Sequence, residues 1–189
     1  MTPRRKPLNA LGYGFIPHEF LPEGHDEYTH RNQQQLTAYT YRPLREAEIE
    51  LLIRNGNYSP NWGDVWVTDS FLPEQIQQSK FYGRVRIGDM AAEYLDYRDL
   101  HLPTGIYNSV VVSSDIGGHT AIHNVRYLAH FIIGDEVILF NVHEMETSSN
   151  AKFGNGIRKE GDPESSLIQL ELCNENGGRA VLPFDGMQA

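Results

Sequence analysis

Cysteine is nearly absent: the 189 residues hold one, Cys173, which excludes an intramolecular disulfide and leaves no cysteine set for a structural zinc site. It sits in an apolar-rich segment and reads as a small buried hydrophobe rather than a nucleophile. Long hydrophobic runs are missing too. No stretch approaches a membrane span, and the basic start Met1-Thr-Pro-Arg-Arg-Lys-Pro7 is followed by no apolar core of signal-peptide length. A soluble, cytoplasmic protein without a membrane partner is therefore expected. Positive charge is scarce, with 16 Lys and Arg against 25 Asp and Glu and a net charge of -9. Such a balance repels phosphate backbones and argues against nucleic acid as a partner, although a basic patch could still form locally. Gly117-Gly118 is no phosphate loop, because neither a helix nor a Lys-Ser/Thr pair follows it.

What the chain does have is a repeat. Ile122-His-Asn-Val-Arg-Tyr-Leu128 superimposes on Leu139-Phe-Asn-Val-His-Glu-Met145 at an offset of seventeen residues. Ile116-Gly-Gly-His-Thr aligns with Ile133-Gly-Asp-Glu-Val at the same offset, and Ile106-Tyr-Asn108 aligns with Ile122-His-Asn124 at sixteen. A finer six-residue step links Val110, Ile116, Ile122 and Leu128, then Ile133, Leu139 and Met145. Six is neither helical nor strand-like, and it describes short strands and turns wound as a coil, three hexads to a rung. One rung cannot bury its inward side chain alone, so Ile122 should stack on Leu139, Val125 on Val142 and Leu128 on Met145. Each buried aliphatic contributes roughly 1.5–3 kcal/mol. Asn108, Asn124 and Asn141 should form a ladder of hydrogen-bonded amides along the coil.

These residues resemble the hexapeptide-repeat left-handed β-helix superfamily, whose pattern is an aliphatic residue, often Gly, two variable positions and a small residue. Ile87-Gly-Asp-Met-Ala, Ile116-Gly-Gly-His-Thr and Ile133-Gly-Asp-Glu-Val fit it. Val85-Arg-Ile-Gly88, Thr104-Gly-Ile-Tyr-Asn-Ser109, Asn150-Ala-Lys-Phe-Gly-Asn-Gly156 and the run from Asn176 to Gly186 look like a family of long, uncharacterised bacterial hexapeptide-repeat proteins. The resemblance covers roughly residues 40 to 189 and makes the chain look like an amino-terminal part of such a protein. It implies an all-β fold: a single-stranded left-handed parallel β-helix, or solenoid, with an irregular amino-terminal arm and a short capping α-helix. The handedness rests on the resemblance alone, since parallel crossovers are generally right-handed.

Along the chain, residues 1–40 read as the irregular arm and 41–64 as the capping helix and linker. The helix itself is expected over 43–54, with Pro43 at its first position, Leu44, Ala47 and Leu51 on one face, and Asn55-Gly56 as its stop. Residues 65–189 read as the β-helix domain, with an insertion near 90–104 where the apolar pattern lapses. Strands are also expected over 167–172 and 180–182, separated by a polar turn.

Acyl transfer is the chemistry this resemblance implies most directly, with a histidine taking a proton from an acceptor hydroxyl or amine. Of the repeat histidines, which include His130, the candidates for catalysis are His119, His123 and His143. On the plainer reading each is a surface residue of the coil wall. Asn124, Asn141, Asn155, Asn174, Glu175, Asn176 and Arg179 are the candidate ligand-binding residues. Amides and carboxylates can pair with sugar hydroxyls, and Arg can clamp a phosphate, although Asn and Gly are also ordinary turn residues. His25 and His30, with Asp26 and Glu27, have loose metal-ligand spacing, but such a cluster in a polar arm is read as solvated. No metal site is expected. The expected partner is a small-molecule sugar or nucleotide-sugar, with acyl-CoA as the co-substrate such chemistry would use. A homo-oligomer, a trimer on the resemblance, is expected as well. The alternative is a non-catalytic scaffold, or a ligand-binding or assembly module of a larger protein.

Overall fold

The computed structural model describes residues 3–18, 21–32, 39–147, 170–171 and 180–181. Two compact units divide the chain, 1–149 and 150–189. In the second, the antiparallel pair Leu170–Glu171 and Ala180–Val181 (β16 and β17 in chain order) is described.

In the first unit, a helix α1 (Glu27–Asn32) and a strand β1 (Arg42–Pro43) precede a helix α2 (Glu46–Arg54). The strands β2 (Val65–Val67), β3 (Ile76–Gln77), β4 (Lys80–Tyr82) and β5 (Val85–Ile87) follow. A hairpin, β6 (Tyr94–Tyr97) with β7 (Leu100–Pro103), occupies the segment where the apolar step lapses. Then come β8 (Gly105–Tyr107), β9 (Val110–Val112) and β10 (Asp115–Ile116), and β11 (Ala121–His123), β12 (Leu128–Ala129) and β13 (Ile132–Ile133). The unit's last described strands are β14 (Ile138–Phe140) and β15 (Met145–Glu146).

The expected single-stranded left-handed β-helix is corrected by the pairing of these strands. They are divided among separate sheets, in the orders β1-β2-β5-β10-β13, β14-β11-β8-β3 and β15-β12-β9-β4, besides the two antiparallel pairs. The first sheet is itself mixed, because β1 runs antiparallel to β2. The fold is thus mostly β, with several parallel sheets and some helices, rather than one all-β solenoid.

The reason lies in the turns. Gln78, Asn108, Ser113, His119, Asn124, His130, Glu136 and Asn141 all have φ between 40° and 65°, as does Gly83. A left-handed residue at the end of most of these two- or three-residue strands, or within three residues of it, bends the chain out of its sheet before a longer strand can form. Consecutive strands therefore fall into different sheets, while partners within a sheet come from successive repeats.

Register follows the repeat. Ile76, Ile106, Ile122 and Leu139 align across one sheet, and Phe81, Val111, Leu128 and Met145 across another. Val67, Ile87, Ile116 and Ile133 align across the third. These columns meet in one apolar core, in which Ile76, Phe81, Ile106, Val111, Ile122 and Leu128 are fully buried. The amide ladder forms as well: Asn108 Nδ2 donates to Asn124 Oδ1 at 2.9 Å, and Asn124 Nδ2 donates to Asn141 Oδ1 at 3.0 Å.

Helix α2 starts three residues later than the sequence pattern suggests, because Arg42 and Pro43 pair with Val67 and Trp66 instead. Its first turn is fixed by Glu48, which accepts from the Arg45 backbone N–H at 2.7 Å and from Arg42 at 2.8 and 2.9 Å. Beyond its far end Asn57 covers the open edge of β3. The Asn57 Nδ2 donates to the carbonyls of Leu52 and Ile76, and its Oδ1 accepts from the Ser79 N–H. An exposed sheet edge is in this way given partners.

The arm is held by charge. Arg86 makes a bidentate pair with Asp115, at 2.7 Å through Nε and 2.6 Å through Nη2, and Arg31 of α1 bonds the same carboxylate. Arg31, Arg86 and Asp115 are all buried, and burial lowers the Arg31 pKa from its ordinary value.

Asp115→Asn should therefore leave two buried guanidiniums without a counter-charge, destabilising the protein by about 3–5 kcal/mol in denaturant unfolding. Gly105→Ala should cost about 1–3 kcal/mol. Its φ is 129°, and an added Cβ would come within 2.0 Å of the Gln75 carbonyl oxygen. Glu48 is held below the ordinary carboxyl value of 4.5, chiefly by its hydrogen bonds from Arg42. A carboxylate depressed in the folded state stabilises above its unfolded pKa, and the contribution disappears as pH falls through the lower folded value. The loss of stability below pH 4.5 should accordingly be shallower in Glu48→Gln than in the wild type, as read by thermal melts across pH.

Candidate functional site

The turns after β3, β8, β11 and β14 lie beside one another. Backbone bonds from Asn108 N to Gln77 O, Asn124 N to Tyr107 O and Asn141 N to His123 O set Gln78, Asn108, Asn124 and Asn141 in one row. Asparagine tolerates the left-handed region better than most residues, because its short amide bonds locally. The amides thus serve the bend and the ladder together.

Two residues further along each segment a second row appears. Lys80 is in register with Val110, Val110 N donates to Val125 O, and Arg126 N donates to Val142 O, so Lys80, Val110, Arg126 and His143 follow one another. Between the two rows lie the buried residues Ser79, Ser109 and Val125, with Val142 partly buried. The Ser109 hydroxyl donates to Tyr107 O in its own segment at 2.8 Å and accepts from Val125 N of the next layer at 3.0 Å.

The rows flank a groove of about 530 Å³. Its described lining holds two cations, one histidine, four side-chain amides and no carboxylate. Lys80, Arg126 and His143 are exposed and have no ion pair among the described residues. In a chain with a net charge of -9 the groove is a locally basic surface carrying many hydrogen-bond donors. It can receive hydroxyls on the amides and an anion on the cations.

Of the residues nominated from sequence, the structure brings together Asn124, Asn141 and His143. His119 lies elsewhere, with its Nδ1 2.5 Å from Glu93 Oε1 and its backbone N–H on the Asp89 carbonyl. His123 puts Nε2 on the Pro103 carbonyl at 2.8 Å and packs on the Tyr107 ring at 4.5 Å. Burial raises the Tyr107 phenol pKa, keeping it a donor to Gln75 Oε1 at 2.9 Å. His130 stacks on Phe15 with ring centres 3.9 Å apart. Asn155, Asn174, Glu175, Asn176 and Arg179 lie outside the described residues, as does Cys173.

Sequence reasoning missed Lys80, Arg126 and Gln78. A signal was available in the spacing, an amide followed two residues later by a basic or imidazole side chain: Gln78-Ser-Lys80, Asn124-Val-Arg126 and Asn141-Val-His143. Among the described residues no group of three His, Cys, Asp or Glu is placed to hold a metal ion. In the arm, Asp26 is engaged by Thr29 at 2.7 Å and Glu27 by the Gly14 N–H at 3.1 Å. No helix among the described residues is long and apolar enough to cross a membrane.

A family model described as "Domain of unknown function (DUF4954)" matches residues 41–189. An "Uncharacterized protein" of Treponema pallidum (strain Nichols) is 43% identical over 183 residues, covering 96% of this chain and 25% of the relative. The chain thus spans about a quarter of the length of that curated relative. No solved structure matches. By the extent of the family match and by the identity to this relative, the chain belongs to the DUF4954 family of unknown function.

Proposed function

We propose that the chain is a transferase-like protein, moving an acyl group to a hydroxyl or amine of a sugar or nucleotide-sugar, with His143 as general base. The observation that carries this reading is the groove, which sets an exposed imidazole beside amides that can hold sugar hydroxyls and cations that can hold a phosphate. The aliphatic-Gly-x-x-small hexads, which resemble the hexapeptide-repeat superfamily, support it as well. With an acyl-CoA donor, the imidazole takes the acceptor's proton as the acceptor oxygen or nitrogen bonds the thioester carbonyl carbon. The C–S bond then breaks, and the thiolate leaves and recovers that proton from the imidazolium. On this reading the protein works in the cytoplasm as a homo-oligomer, a trimer if the resemblance extends to assembly.

A second reading has one observation in its favour. The chain corresponds to a quarter of its relative's length, as suits a binding or assembly module of a larger protein.

His143→Ala should lower turnover of amino-sugar acceptors, free or nucleotide-linked, with acyl-CoA donors by about 10²–10⁴-fold. If His119→Ala abolished turnover instead, the base would be the imidazole held by Glu93 and the assignment to His143 would fall. Self-association in light scattering, without turnover on any donor, would favour the module.

A further inference from the structure

We infer that the groove takes a ligand bearing a diphosphate, with Lys80 and Arg126 as its two phosphate-binding side chains. The inference rests on the acyl-transfer reading for the acceptor's identity, but its binding chemistry stands on the groove alone.

The two cations are two strand layers apart in the same row, with Val110 between them. Strand spacing makes that about 10 Å between backbones. Long side chains converging from that separation can each hold one of two linked phosphates. Val110 leaves the middle of the row without a competing polar group. His143 follows Arg126 by one layer, beyond the diphosphate rather than under it.

The amide row runs parallel, two residues away. Its Asn124 and Asn141 lie level with Arg126 and His143, where a sugar attached to the second phosphate would rest. Asn108 and Asn124 each spend one N–H on the next amide, Asn108 on Asn124 and Asn124 on Asn141. An amide has two such hydrogens, which leaves a second donor for a ligand oxygen.

Charge points the same way. The chain carries 25 acidic residues, yet none is among the described residues lining this groove. A neutral sugar would need no such exclusion of carboxylates. A phosphate-bearing ligand does, because a neighbouring carboxylate would oppose its approach. The acceptor is on this account a nucleoside-diphosphate sugar or a close equivalent, not a free sugar.

Calorimetric titration of the full chain with inorganic pyrophosphate tests this without relying on turnover. Saturable binding is expected, weakening with added salt. Lys80→Ala and Arg126→Ala should each lower affinity by about tenfold or more, the loss of one charge-assisted contact. Arg98→Ala, on the hairpin, should bind as the wild type does, and circular dichroism should show that every variant is folded. His143→Ala should keep pyrophosphate affinity while losing turnover. Binding intact in a protein that turns over no acyl donor would sink the acyl-transfer reading and leave the diphosphate site standing. No saturable binding by the wild type, or equal weakening by Arg98→Ala, would overturn the site. Turnover of an uncharged amino sugar that pyrophosphate does not inhibit would overturn it too.

Discussion

Left-handed backbone at the ends of very short strands is the constraint on which this molecule turns. Residues with side chains are forced into a conformation that L-amino acids avoid, at Asn108, Asn124 and Asn141 above all. Asparagine eases that cost, and its amide can reach the next copy of itself. Bend and cross-layer bond therefore come from one residue type. The apolar columns go with it, since Ile106, Ile122 and Leu139 are in register and each is followed two residues later by the same bend, at Asn108, Asn124 and Asn141.

The same geometry makes the groove. A side chain two positions after each amide is carried to the same face, and whatever occupies that position forms a row. Here the row reads Lys80, Val110, Arg126 and His143, on a protein whose composition is acidic. A basic strip on an acidic body selects by charge before any detailed fit. Neither Lys80 nor Arg126 is spent on an internal ion pair among the described residues, whereas the buried Arg31 and Arg86 are both committed to Asp115. The protein thus uses arginine in two ways, as internal fastening and as exposed cation.

Much of this register could be read from sequence. The seventeen-residue offset places Ile122 against Leu139, Leu128 against Met145 and the asparagines on one another, and these contacts form. Periodicity reports which residues are neighbours, but not how hydrogen bonding is divided. For that reason the expected single β-helix gave way to separate sheets with antiparallel additions. Lys80 was hidden because the excursion through β6 and β7 separates Ile76 from its partner Ile106 and breaks the even offset. Arg31 and Asp115 are 84 positions apart, and a buried ion pair at that separation has no local signature. The start of α2 was misjudged because an antiparallel pairing claimed Arg42 and Pro43, a tertiary demand that local propensity does not contain.

The two parallel rows have a consequence for how such a protein could change over time. Each layer adds one amide and one position for a charged side chain, at a fixed pitch along the groove. Duplicating a layer would lengthen the binding surface by one increment without redesigning any other part. On the proposed function, the number of layers would act as a ruler for the length of the ligand, and single substitutions at the second position would set which charges it carries.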